Sequence, residues 1–593
     1  MKIIDFSGSH CRHCYKCVRG CHVKAVSVRD SLAVIDEDRC LLCGQCLDLC
    51  PQHAKTRRSE LSGVQKMLAD GERVVLSVAP SYRSLAGAFS DAQAGGSGQG
   101  TGSKAPFSPG QAAAAFRRLG FFQVRKTAEG AACVTAEYER LLQEGSRDNL
   151  LTTCCPGAVS LVEIYYPRLI PFLAPVVSPM TAHGRLIKKQ LGDEVKVVFA
   201  GPCLAKMAEA QDPRCGGAVD AVLGFDELSD WLSREGIDPA DCEPEPFDGE
   251  DPAVNRLYPI RGGILAAVGG ESGRDAYRRL SVDGIEDCRE LCESLLLGEL
   301  HHCLIEMNLC AGGCINGPQM PRVHRRRFRQ QLAYQEQIPR KAADPGVFRR
   351  LAQGVPLTAE FKDRTPAAPL PTEEQLRRIL AGTGKKTPAD EHNCGACGYP
   401  TCRDKAVAVF QGRAEMDMCI PYMHDQAASL ANLVMETSPN IVLIVNRSLD
   451  ILEYSAVGER YFGKSRAQAL RMKLEDFFDP RDFLEVLNTR QNIHGRKVSY
   501  PQYDLVTLQN IVYLPVQDGA LATIIDITAA EKKAREEYAR KLETIEMAQQ
   551  VIDKQMTVAQ QIAGLLGETT AETKVSLTKI GRILLKDGEE VHI

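Results

Sequence analysis

The chain contains no stretch of about 18 apolar residues, so no transmembrane helix is expected. Neither sign of charge is in large excess. Lys and Arg number 72 against 76 Asp and Glu, a formal net charge of -4. A balance that small gives no reason to expect nucleic acid or a membrane surface as a partner. No secretory pattern opens the sequence: Met1-Lys2-Ile3-Ile4-Asp5 runs almost directly into Cys11. No kinase or phosphatase motif is found. Cysteine, by contrast, is plentiful, with 23 residues. Clustered cysteines without a secretory signal read as reduced metal ligands rather than disulfides. That places the protein in the cytoplasm of an organism able to protect exposed clusters. The length of 593 residues allows about four domains. An apolar content of 44% is enough for several cores.

The cysteines fall into three groups. In residues 1–58, Cys11, Cys14, Cys17 and Cys21 follow the pattern C-x2-C-x2-C-x3-C, and Cys40, Cys43, Cys46 and Cys50 repeat it. This resembles a bacterial two-cluster ferredoxin, in which the fourth cysteine of each run ligates the other cluster. The resemblance implies one [4Fe-4S] cluster on Cys11, Cys14, Cys17 and Cys50. The second would sit on Cys40, Cys43, Cys46 and Cys21. His22 stands where the first run would have a proline, so a local change of the turn is expected there.

The second group lies in residues 59–325. It comprises Thr152-Thr153-Cys154-Cys155-Pro156-Gly157, Gly201-Pro202-Cys203-Leu204-Ala205-Lys206 and Cys310-Ala311-Gly312-Gly313-Cys314. These are scattered over about 160 residues and have no ferredoxin spacing, so only a folded domain could unite them. The runs Val74–Pro80, ending at the proline, and Val195–Ala200 read as buried strands, and Gln111–Leu119 and Ala136–Glu144 as helices. The alternation predicts an α/β domain with ligands on loops at strand ends. The glycine- and serine-rich run from Asp91 to Gly110 reads as a surface loop.

The three motifs, in this order, resemble the active-site domain of the [FeFe]-hydrogenases. The resemblance implies an H-cluster, a [4Fe-4S] cubane joined to a two-iron site with CO and cyanide. Its ligands would be Cys155, Cys203, Cys310 and Cys314, with Cys314 bridging. Cys154 then takes the family's proton-relaying place, and Lys206 and Ser81 the places that hydrogen-bond the cyanides. Departures surround this core. Of the family's two relay glutamates one is matched by Glu137, while the other position holds Val134 and the relay serine position holds Ala174. Two methionines are replaced by Gly201 and Asn308, and Met307, beside the second, is expected to compensate in part. Such outer residues tune a metal, so slow turnover and shifted potentials are expected.

Residues 326–390 read as a connector, and the basic cluster Arg322 to Arg327 at their start as solvated. In residues 391–425, Cys394, Cys397, Cys402 and Cys419 are spaced C-x2-C-x4-C-x16-C. They resemble a four-cysteine [4Fe-4S] domain, although four thiolates also suit zinc. Residues 427–530 resemble a PAS domain, from Met435-Glu436-Thr437-Ser438-Pro439 to Asp526-Ile527-Thr528. Its role as ligand pocket or dimerisation module is left open. In residues 531–593, Leu542, Ile545, Gln549, Ile552, Met556 and Ala559 follow an a/d spacing, read as a coiled coil or as a helix packed on its own PAS domain. A last helix is expected from Ala571 to Leu585.

The fold class expected is therefore multidomain α/β and α+β, with a ferredoxin-like module, a hydrogenase domain, a four-cysteine cluster domain, a PAS domain and C-terminal helices. The chain resembles the sensory, PAS-containing [FeFe]-hydrogenases. That implies slow oxidation of H2 with release of protons, exchange with a redox carrier such as ferredoxin, and signalling to a partner protein. A homodimer through PAS and coiled coil fits the pattern. Two alternatives stand beside it: a metabolic ferredoxin-linked hydrogenase, and a non-catalytic hydrogenase-like iron–sulfur assembly factor.

Overall fold

The computed structural model describes residues 2–85, 107–269, 277–321, 327–336 and 345–563, with three isolated positions beyond. Most of the glycine-rich run from Asp91, most of the basic cluster and most of the last expected helix lie outside the described residues. The chain divides into two compact units, Met1–Tyr422 and Met423–Ile593.

The first unit opens with two antiparallel strand pairs, Ile4–Phe6 with Lys55–Arg57 and Val26–Arg29 with Leu32–Ile35. Two short helices, Lys16–Arg19 and Gln45–Leu49, follow the bends that carry the first cysteines of each run. Next come two parallel sheets. One has the order Gln123–Lys126, Val74–Val78, Lys196–Gly201, Ala221–Gly224, and the other Arg278–Asp283, Cys303–Asn308, Asn149–Leu151. Val74–Val78 is central and buried along its whole length, as a β-branched run covered on both faces should be.

The helix expected from Gln111 is Pro109–Arg118, started by a Ser108–Gln111 capping box. The helix expected from Ala136 begins eight residues earlier, as Ala128–Glu144. Its first half, Ala-Glu-Gly-Ala-Ala-Cys-Val-Thr, is buried all round and so shows no amphipathic period. Gly130 sets the packing distance to the helix Pro179–Leu191: a Cβ there would lie 2.2 Å from the Pro179 carbonyl.

Part of the connector is ordered. Residues 353–365 run as a strap over the hydrogenase-like core. Val177 N–H donates to Leu357 O, Ala359 N–H to Pro175 O and Arg364 N–H to Glu163 O, each at 2.9–3.0 Å. Proline and charge in this stretch therefore mark a chain that binds by its backbone rather than a free linker. The four-cysteine module follows, built on the helices Glu373–Gly382 and Cys402–Phe410. It packs on the ferredoxin-like module, with Tyr399, Ala408, Ala414 and Met418 sharing a core with Cys17, Val18, Val26, Val28 and Ala33.

The second unit holds a five-stranded antiparallel sheet. Its order is Ile451–Tyr454, Ile441–Asn446, Gly519–Asp526, Leu505–Leu514, Ile493–Tyr500. The apolar runs from Ile441 and from Gly519 form its second and third strands. An aromatic group of Phe462, Phe477, Phe478 and Tyr500 fills the core beneath the sheet. From Thr528 a single helix runs to Ala563, about 54 Å at 1.5 Å per residue. None of its residues with described burial is buried. The seam from Leu542 to Ala559 is thus not buried among the described residues of the unit.

Because the two units have separate cores, damage to one is expected to spare the other. Phe483 is 1% exposed in the PAS core. Phe483→Ala should destabilise that unit by about 3–5 kcal/mol while the visible iron–sulfur absorbance of the first unit melts at its usual temperature. Joint loss of both signals in one shifted transition would contradict the division.

Candidate metal centres

Four parallel strands deliver the middle cysteine group to one place. Asn149–Leu151 runs into Cys154 and Cys155, Lys196–Gly201 into Cys203, and Cys303–Asn308 into Cys310 and Cys314, while Val74–Val78 runs into the turn Pro80–Ser84 with Ser81. The C-terminal ends of parallel strands are where such folds place ligands. Cys155, Cys203, Cys310 and Cys314 come close enough for their charges to act on one another. Desolvation first, then these neighbours, pushes Cys203 up to about 11 and raises Cys310 and Cys314 as well. Glycine permits the approach. Gly313 has φ +84°, and a Cβ there would meet the Pro259 carbonyl at 2.3 Å.

Ser81 is 1% exposed and its hydroxyl has no hydrogen-bond partner among the described residues. Such an orphan is costly unless a polar group faces it. Lys206 is buried. Its Nζ donates to Ser178 Oγ at 2.7 Å, to Glu209 Oε2 at 2.7 Å and to the Cys154 carbonyl at 3.4 Å. Burial alone would lower its pKa, but Glu209 raises it above the usual value, so the ammonium stays charged. Cys154 is pushed up to about 12 by burial, and Tyr138 Oη lies 3.3 Å from its sulfur.

The outer departures also have a geometry. Val134 and Ala174 are fully buried among apolar side chains. Glu137 pairs with Arg140 at 2.6 Å and takes no inward hydrogen bond among the described contacts. At Gly201 a Cβ would stand 2.5 Å from Cε1 of Phe199, so that ring occupies the room a longer residue would need. Met307 does not stand in for Asn308. Neighbouring strand residues face opposite ways: Met307 joins the apolar core with Leu151 and Ile305, while Asn308 Nδ2 donates to Glu306 at 3.0 Å. Glu306 in turn receives the backbone N–H of Gly262 and Ile264, and burial lifts it to about 6 against those bonds.

In the ferredoxin-like module the two runs are crossed. One cavity is lined by Cys11, Cys14, Cys17 and Cys50, without Cys21. Cys21 instead acts on Cys40, Cys43 and Cys46, which desolvation raises to about 12, 11 and 12. The two bends share one backbone design. His13 and Tyr15 are left-handed at φ 51° and 52°, and the matching Leu42 and Gly44 at 53° and 75°. Alternating left-handed residues turn successive N–H groups inward, the concavity that suits an anionic iron–sulfur core. His22 pairs with Glu286 at 3.2 Å, so the missing proline is replaced by a contact to the hydrogenase-like domain.

Cys394, Cys397, Cys402 and Cys419 line another cavity. Among the described residues no three His, Cys, Asp or Glu side chains converge as they would around a single metal ion; the sets at Cys11 and at Cys394 each ring a cavity instead. The sets also stand in an order. Cys43 acts on Cys310, and Lys24 lies within reach of both Cys21 and Cys397. Arg19 Nη1 donates to Ala396 O at 3.4 Å and Ser31 N–H to Glu415 at 2.9 Å across the same junction.

Residues missed from the sequence are Tyr138, Ser178 as a lysine partner, and Glu209. Only Glu209 had a signal, its i,i+3 spacing from Lys206 on one helix.

Residues 10–54 match the family described as 4Fe-4S dicluster domain. Residues 72–318 match iron only hydrogenase large subunit, C-terminal domain. Residues 391–421 match an Fe-S cluster family and 431–527 the PAS fold. The chain thus joins a ferredoxin-like 4Fe-4S domain, an [FeFe]-hydrogenase domain, an Fe-S cluster domain and a PAS domain. It is 28% identical over 340 residues to the NADP-reducing hydrogenase subunit HndD of Solidesulfovibrio fructosivorans, covering 48% of this chain and 56% of that one. It is 26% identical over 227 residues to cytosolic iron-sulfur assembly component 3 of Mus musculus, covering 30% and 48%. Against [FeFe]-hydrogenase HydA1 from Chlamydomonas reinhardtii the TM-score is 0.43 at 19% identity, over 52% of this chain and 100% of that one. This chain spans roughly half the length of either sequence relative. No helix among the described residues is long and apolar enough to cross a membrane.

The ring at Phe199 makes position 201 a test of the packing. Gly201→Ala should cost about 1–3 kcal/mol by overpacking, and Phe199→Leu in the same chain should return most of it, read by denaturant unfolding. Equal loss in the single and double variants would contradict this placement.

Proposed function

We propose that this protein binds and slowly oxidises hydrogen at an [FeFe]-hydrogenase-like site and reports the outcome through its PAS domain. Cys155, Cys203, Cys310 and Cys314 would hold the H-cluster, a [4Fe-4S] cubane with a two-iron site carrying CO and cyanide, and Cys314 would supply the thiolate on which the two-iron part depends. That two-iron site supplies the metal on which hydrogen is split. Ser81 and Lys206 face its cyanides, and Cys154 moves the proton. The observation that carries this reading is the meeting of four thiols, an unpartnered buried hydroxyl and a charged buried lysine at the ends of parallel strands. A charge-assisted donor such as Lys206 suits an anionic ligand.

The remaining cysteines give electrons a way out. Cys40, Cys43, Cys46 and Cys21 stand next to the site. Cys11, Cys14, Cys17 and Cys50 form the second ferredoxin-like set, open to a carrier such as ferredoxin. Cys394, Cys397, Cys402 and Cys419 form a branch beside Cys21. Cys419 directly precedes the helix Ile420–Thr437, which leads into the PAS strand Ile441–Asn446. The charge of that set is therefore placed to bias the helix. The uncovered helix after the PAS domain fits a homodimer or a partner protein. The apolar Val134 and Ala174 fit low turnover.

The likeness to iron-sulfur assembly component 3 favours a second reading, an assembly role without a two-iron site. The retained Cys154–Cys155 pair and the orphaned Ser81 weigh against it. Infrared spectroscopy of the matured protein decides. Carbonyl and cyanide bands are expected, and Cys314→Ala should abolish the carbonyl bands while the ferredoxin-type signals survive. Carbonyl bands at full strength in Cys314→Ala would overturn the ligand assignment, and their absence from the wild type would favour the assembly role. In a matured Cys154→Ala the bands should persist while hydrogen oxidation falls at least about tenfold, a floor below the ~hundredfold of a positioned proton-transfer group. Unchanged activity would mean that protons enter elsewhere.

A further inference from the structure

The family's proton route is blocked here by Val134 and Ala174, and Glu137 is turned to Arg140. Yet Cys154 does not end in apolar packing. Tyr138 Oη lies 3.3 Å from Cys154 Sγ and 3.4 Å from Thr153 Oγ1. It also accepts the Thr153 N–H at 2.9 Å, which fixes the ring against the cysteine loop. Thr153 borders a cavity of about 120 Å³. That is room for several water molecules, and its walls offer the polar partners water needs. Glu209 stands in the same wall. One of its oxygens receives Lys206 Nζ at 2.7 Å, and the other receives the Ser178 hydroxyl and Thr181 Oγ1. Asp212, Arg214 and Arg364 line the cavity further out, Arg364 being carried by the strap. Arg214 is held by Asp212 at 2.7 Å and Glu163 at 2.9 Å, so the exit is lined by paired charges.

We propose that protons leave the hydrogen site through this strap-covered cavity, with Tyr138 and Thr153 as the relay and Glu209 as the receiving carboxylate. The inference rests on the hydrogenase reading given above. Tyr138 takes the proton from Cys154 Sγ as it gives its own to Thr153 Oγ1. The Thr153 hydroxyl passes its proton to cavity water and so to Glu209, which releases it outward. For that hand-over it must turn from the Val176 carbonyl that it donates to at 2.7 Å. One proton enters and one leaves, and both hydroxyls end neutral. A phenol and a threonine replace the carboxylate and serine of the blocked route.

The test uses the full-length matured protein and the variants Glu209→Gln, Glu209→Asp, Tyr138→Phe and Glu137→Gln. In Glu209→Gln and Tyr138→Phe the carbonyl bands should remain, hydrogen oxidation should fall at least about tenfold, and the solvent isotope effect should exceed that of the wild type. Glu209→Asp should recover most of the rate, and Glu137→Gln should match the wild type. A wild-type rate and isotope effect in Tyr138→Phe, which leaves the Lys206–Glu209 pair untouched, would overturn the route. So would a fall in Glu137→Gln as large as in Glu209→Gln. A second readout needs no two-iron site. In protein carrying only cubanes, the infrared S–H band that disappears in Cys154→Ser should exchange to S–D more slowly in Tyr138→Phe than in wild type. Equal exchange would count against the cavity exit, whereas absent carbonyl bands in the wild type would count against the hydrogenase reading alone.

Discussion

Crowding four thiols at the ends of parallel strands is the constraint on which the first unit depends. Desolvation, and after it the neighbouring thiolates, raises Cys203, Cys310 and Cys314, so these three are poor thiolates without a compensating cation. A coordinating iron removes that penalty outright, since a bound thiol is deprotonated. Around this group the fold adds what an anionic core asks for. Lys206 is kept charged by Glu209, Ser81 has no hydrogen-bond partner among the described residues, and Gly313 lets the chain pass close to Pro259. The strands themselves are ordinary buried runs. Their value lies in ending together.

The same economy explains how the modules are joined. Gly44 sits under Pro318, where a Cβ would be 2.3 Å from the proline ring, so the second cysteine run lies flat on the hydrogenase-like domain. Gly398 lies against Val18 and Arg19, where a Cβ would be 3.0 Å from Val18 Cγ1, which sets the four-cysteine module on the ferredoxin-like one. In sequence that module stands between the hydrogenase-like domain and the PAS domain. In space it is a branch off the ferredoxin-like module, and the helix Ile420–Thr437 follows its last cysteine in the chain.

Much of this was legible in the residues. The doubled C-x2-C-x2-C-x3-C runs implied the crossed sets that the cavity around Cys11, Cys14, Cys17 and Cys50 displays. The β-branched runs at Val74 and Val195 became strands within a residue or two at their ends. Other features had no local signal. The first half of Ala128–Glu144 is buried on every side, so it lacked the period that marks a surface helix. Tyr138 meets Cys154 only because that helix packs across the end of the strand Asn149–Leu151, a contact between residues 16 apart. The strap at 353–365 is held by backbone hydrogen bonds, which composition does not record. The role of Met307 depended on strand alternation relative to Asn308, and sequence proximity pointed the wrong way.

On the proposed function, hydrogen chemistry in the first unit changes the state of the second. Amide hydrogen exchange on the matured protein, hydrogen-reduced against oxidised, tests it most directly when turnover is measured on the same sample. The account expects low turnover together with a redox-dependent difference in exchange within residues 427–563. Turnover in the usual range of metabolic enzymes, with no exchange difference beyond Gln426, would contradict it.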